Sequence, residues 1–188
     1  MKRDFWFLGL ALLSLGGCLL KPYLPQPAAE YSVEEGWAII DADSLILFAR
    51  PQAYSGEAQP VAENFFTLYL RVKNKSPRTL SLPRGGFSIS TQQQHDPVPL
   101  SLVLGSLQSG LFLNEPEDPF APMTAETQDL ALERARERYF ELMNGYFSFG
   151  DILPGGVKEG YLFYNERIDR TDSFVFDALG TRVLFQRR

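Results

Sequence analysis

Few side chains in this 188-residue sequence are equipped for covalent or acid–base chemistry. There is one cysteine, Cys18, and one histidine, His95. Cys18 directly follows Leu15-Gly16-Gly17, at the end of the only long apolar run, and the small pair before it fits a peptidase cleft. His95 stands beside Asp96 in a Gln-rich stretch. As a general base it would need a serine nucleophile, but neither Gly105-Ser106 nor Ser109-Gly110 completes a Gly-x-Ser-x-Gly elbow, so an exposed hairpin histidine is expected. Glu115, Glu117 and Asp118 offer oxygens to calcium, yet Pro116 and Pro119 stiffen the segment and EF-hand spacing is missing. A solvated acidic loop is the expectation there. No Gly-rich phosphate loop precedes a helix. No catalytic residue, metal or cofactor is therefore expected, and the chain reads as non-enzymatic.

The residues around Cys18 carry a more specific message. Lys2 and Arg3 make a short positive start, and residues 5–15 form an uncharged run of about eleven residues, the size of a signal-peptide core. Even extended to Leu20, the run falls short of the roughly 20 residues of a spanning helix. Leu at −3, glycines at −2 and −1 and then Cys18 resemble the lipobox of bacterial lipoproteins. The resemblance implies cleavage before Cys18 and acylation of that cysteine, including its new amine. Two or three acyl chains exceed the marginal hold of one. Leu19 stands where this family places an aspartate for inner-membrane retention, which implies the outer membrane in a cell with two.

Charge and composition fit an exported protein. The chain carries 18 basic and 23 acidic residues, a formal charge of −5, and loses one further positive unit with Lys2, Arg3 and Asp4. An acidic surface argues against nucleic acid and against peripheral attachment to anionic lipid. Acyl chains are then the membrane contact. Once Cys18 is modified no thiol remains for a disulfide or a zinc site, so the fold must stand on its core. Three regions are expected: a signal peptide over 1–17, an acylated cysteine with a Pro-rich tether over 18–29, and a single domain over 30–188. Pro22, Pro25 and Pro27 are what make the tether unsuited to helix or strand.

Most of the domain reads as β. Residues 37–40 and 45–48 flank a polar Asp41-Ala42-Asp43 turn. Phe66, Leu68, Leu70 and Val72 alternate with Thr67, Tyr69, Arg71 and Lys73, the period of a half-buried strand. Further strands are expected around Leu80, Phe87, residues 161–164, 174–176 and 183–185, with Leu100, Leu102 and Leu104 marking another. One helix interrupts them over 126–143, with Leu132, Ala135, Tyr139, Leu142 and Met143 on its apolar face and Arg134 and Arg138 on its polar side. Eight or nine short strands and one inserted helix predict an antiparallel β-sandwich.

Two segments sharpen that architecture. Phe66 through Asn74-Lys75-Ser76, and Leu153-Pro154-Gly155-Gly156 leading to Gly160-Tyr161-Leu162-Phe163, resemble the immunoglobulin-like domains of small exported bacterial lipoproteins, the telokin-like group nearest among them. The resemblance implies an immunoglobulin-like sandwich that binds or scaffolds, and brings no catalytic residues. The departure is an insertion over about 111–145, crowded with aromatic residues. A satellite core under the helix accounts for these; the alternative is a partner-binding patch containing Phe112, Phe120, Arg134, Arg138 and Phe140. The chain is accordingly expected to be a membrane-tethered envelope lipoprotein acting as a binding or scaffolding module toward an envelope protein. Two rivals stay open: an envelope hydrolase or carbohydrate-active enzyme without a recognisable motif, and a small-ligand carrier, which an enclosed apolar cavity would mark.

Overall fold

A computed structural model describes residues 22–56, 58, 64–113 and 125–188, with 107–113, 125–131 and 166 described by backbone alone. Its strands are β1 (Tyr23–Pro25), β2 (Ser32–Glu34), β3 (Trp37–Asp41), β4 (Leu45–Pro51), β5 (Phe65–Asn74), β6 (Leu80–Leu82), β7 (Phe87–Ser90) and β8 (Gln94–His95). Two helices follow, α1 (Leu100–Leu113) and α2 (Ala125–Gly145), and then β9 (Gly150–Ile152), β10 (Val157–Asn165), β11 (Ser173–Ala178) and β12 (Thr181–Arg187). One sheet runs β1-β12-β11-β7-β8, the other β10-β5-β4-β3-β2, and β6 pairs with β9 in a small ladder. All these pairings are antiparallel. The expected sandwich with a helical insertion is the architecture found.

Period-2 alternation builds the core. Ala38, Ile40, Leu47, Ala49, Leu68, Leu70 and Val72 of the second sheet meet Phe87, Ile89, Phe174, Phe176, Val183 and Phe185 of the first in one buried cluster. Phe66 reaches across to Phe174, with ring centroids 5.1 Å apart, and to Tyr23 at 5.8 Å. The two segments that carried the domain resemblance meet at Asn74, which is fully buried. Its side-chain amide donates to the carbonyls of Arg78 (2.7 Å) and Ile152 (2.9 Å), and its side-chain oxygen accepts from the Ser76 amide and hydroxyl. Its backbone binds the Gly155-Gly156 turn from both sides. Every polar atom of this buried residue has a partner.

Two expectations are corrected. The Pro-rich span over 18–29 is not all tether: Tyr23 to Pro25 pair with β12, and the Tyr23 hydroxyl bonds the carbonyls of Ile168 and Thr171. Proline is tolerated here because β1 is an edge strand. The segment around Leu100, Leu102 and Leu104 is helical. Leu102 and Val103 donate their amides to the Pro99 carbonyl, and Ser101 and Leu102 are exposed in succession before the buried Val103, a helical and not an alternating pattern. The insertion therefore starts near 100 and brings two helices. Trp37 lies on the outer face of β3, half-buried, because Ala38 and Ile40 take the core side.

Candidate functional site

The helices pack on the outer face of the second sheet and cover one part of it. Val98, Leu100, Val103 and Leu104 leading into and along α1, together with Leu142 and Tyr146 at the end of α2, join Tyr54, Tyr161 and Phe163 in a second core. Gly160 makes this approach possible. A Cβ there would lie 2.8 Å from the Gly145 carbonyl oxygen and 2.9 Å from the Phe147 amide nitrogen. The rotation of α2 is set by Glu141, whose carboxylate accepts from the Tyr54 hydroxyl (3.1 Å) and the Ala58 amide (3.3 Å). Burial, and next the Glu141 charge, push the Tyr54 phenol well above its usual range.

That rotation differs from the expected one. Leu142 is buried and Ala135 half-buried as predicted, but Leu132 (69%), Met143 (43%) and Tyr139 (40%) are exposed, alongside Phe140 (49%), which stands off the expected apolar face. Arg138 is half-buried instead of standing on an exposed polar side, and its Nε is buried with no hydrogen-bond partner among the described residues. Arg134 is exposed as expected. Of the suggested partner-binding set, Arg134 and Phe140 therefore share the surface of α2, Arg138 does not, and the side chain of Phe112, together with Phe120 and Cys18, lies outside the described residues. Tyr146 and Phe147 are core residues, which favours the satellite-core account for that part of the aromatic cluster.

Beyond the helices, no other described residue covers the same sheet face, and there it forms an open groove of about 870 Å³. Strand register lays its floor in two cross-strand rows. In one row Arg50 faces Tyr69, and Tyr69 faces Tyr161; in the next, Ile39 faces Phe48, Phe48 faces Arg71 and Arg71 faces Glu159. Trp37 packs edge-to-face on Phe48 (6.4 Å) and Tyr69 (5.9 Å). The β2–β3 hairpin places it, through a turn in which Glu35 and Gly36 both take positive φ (48° and 80°). This is the two-residue turn that favours glycine at its second position, and Glu34 and Glu35 are left on the groove's rim.

The polar groups of the groove are held in place. The Arg50 guanidinium lies 4.3 Å over the Trp37 ring and donates to Gln52 Oε1. Gln52 Nε2 donates to the Tyr161 hydroxyl at 2.8 Å, and its backbone exchanges bonds with Thr67. Arg71 and Glu159 pair at 3.5 Å, both half-exposed. Burial, followed by the Glu159 carboxylate, raises the Tyr69 phenol, so this hydroxyl stays protonated.

The sequence reading missed this site. Alternation in β5 sets Tyr69 and Arg71 opposite the apolar row, but nothing in one strand says that four strands align their outward rings. The Glu-Gly pair before Trp37 is the one local signal of the hairpin that completes it.

The other expected features fall as follows. His95 lies in the short β8 with its ring 3.2 Å from Thr91 Oγ1. Residues 115–118 lie outside the described part. Among the described residues no group of three or more His, Cys, Asp or Glu is placed to hold a metal ion, and no helix is long and apolar enough to cross a membrane. Comparison with protein-family models, with curated proteins and with solved structures returns no match for this chain.

Proposed function

We propose that this chain is a lipid-anchored lipoprotein of the bacterial cell envelope, and that it works as a non-catalytic binding module through the groove on its second sheet. The location rests on the Leu15-Gly16-Gly17-Cys18 motif. The observation that carries the binding function is the bare aromatic floor. Trp37, Phe48 and Tyr69 are large side chains left partly exposed side by side, next to a region where the same face is covered by helices. Exposed apolar surface of this kind, with ordered polar groups at its edge, is the usual mark of a recognition site. A second reading places an envelope protein on α2, favoured by the exposed stripe of Leu132, Tyr139, Phe140 and Met143.

Site-specific photo-crosslinking in cells separates these. A photoreactive residue at Phe48 should give an adduct, while one at Val175, on the outer face of the first sheet, should give none. Adducts at Phe140 and none at Phe48 would move the function to α2. Equal adducts at Phe48 and Val175 would remove the groove from the account.

A further inference from the structure

Resting on the reading of the groove as the binding surface, we infer that its ligand is a neutral oligosaccharide. The first argument is where the groove lies. Its floor is the face of a sheet, and the main-chain groups of β3, β4 and β5 are used in ladders on both sides. A peptide strand gains its affinity from main-chain bonds at a sheet edge, and on this face none are offered. Recognition must come from side chains alone. A saccharide is recognised that way: hydroxyls bond side chains, and the C–H face of the pyranose ring packs on aromatic carbon.

The second argument is charge. Arg50 and Arg71 stand against Glu34, Glu35 and Glu159, and Arg71 is paired with Glu159. The groove therefore offers little net field to an ionic ligand. It offers instead donor-only guanidinium beside acceptor-only carboxylate, a juxtaposition that suits a hydroxyl, which donates and accepts at once. The third argument is order. Arg50 is fixed by Gln52 and by the Trp37 ring, and Gln52 by Tyr161, so a ligand meets groups that lose little freedom on binding.

Trp37 makes the inference directly measurable. In the full chain carrying Trp6→Phe it is the only indole. That protein, in a detergent without a sugar headgroup, is titrated with tetrasaccharides of β1–4 glucose, α1–4 glucose and β1–4 N-acetylglucosamine, and with an end-capped tetra-alanine peptide. At least one saccharide should shift Trp37 emission saturably. Phe48→Ala and Arg50→Gln should each weaken it by about tenfold or more, with an unchanged circular dichroism spectrum. Should Phe48→Ala disturb the fold, Arg50→Gln, which keeps every ring in place, decides alone. Silence toward all three saccharides, or a response that Arg50→Gln leaves intact, overturns the inference. A response to the peptide alone also overturns it but leaves the groove a binding surface. Silence toward every probe together with no crosslink at Phe48 in cells removes both.

Discussion

At the scale of single residues, two buried polar groups make opposite predictions. Asn74 uses its whole side chain, so Asn74→Ala strands the carbonyls of Arg78 and Ile152 and should cost about 1–3 kcal/mol or more in denaturant unfolding. Tyr164 is fully buried, and among the described residues its hydroxyl has no hydrogen-bond partner. Tyr164→Phe should therefore leave stability unchanged or raise it, and a loss as large as that of Asn74→Ala would refute the difference drawn between them. Leu70, fully buried in the middle of β5, should cost about 2–5 kcal/mol on change to Ala. The tyrosines give a pH dependence. Burial is the first cause raising the phenols of Tyr54, Tyr69, Tyr146 and Tyr164. Their unfolded phenols ionise near about 10, so above that pH the unfolded chain releases protons first. The stabilisation is complete below about 10 and is lost as pH rises beyond it. Thermal unfolding from pH 8 to 11 should show the melting temperature falling only at the alkaline end, and a flat profile would contradict the burial of these groups.

At the scale of elements, the insertion is attached to the sandwich by a few specific contacts. Gly160→Ala drives a methyl group into the backbone at 145–147, where this segment runs alongside β10. Hydrogen exchange should then quicken in α2 and at Phe147, whose amide donates to the Tyr161 carbonyl, with the ladder between β11 and β12 unchanged. Uniform quickening across the sandwich would mean that the helices are part of one cooperative core. Long strands with one face buried were legible beforehand because alternation over eight or more residues, as in β5, admits no other period. The short strands β1, β2, β8 and β9 carry two or three residues each, too few for a period, and their pairing is decided by neighbours distant in the chain. In α1 three alternating leucines mimicked a strand. The helix is betrayed by the spacing of Leu100, Val103, Leu104 and Leu107 and by Pro99 at its start. For α2 the existence and length were readable, but not its rotation. Its second apolar stripe competes with the first, and Glu141 decides between them through bonds to Tyr54 and Ala58.

At the scale of the whole molecule, the proposed anchor taken with the observed β1 would set how the domain meets a membrane. Only residues 19–22 separate Cys18 from the paired Tyr23. An extended chain of that length reaches under about 20 Å, where a free tether to residue 29 would have reached about twice as far. The end of the sandwich that holds Pro22, Arg188 and the 3-10 turn at Glu166–Arg170 would then lie against the bilayer. Cys18→Ser should abolish labelling by fatty-acid analogues and leave an unprocessed precursor. The most direct test of the account as a whole is the mass of the N-terminal peptide of protein extracted from cell membranes. It should begin at Cys18 and carry acyl chains on that residue. A peptide beginning anywhere else, or an unmodified Cys18, would contradict the lipid-anchored reading.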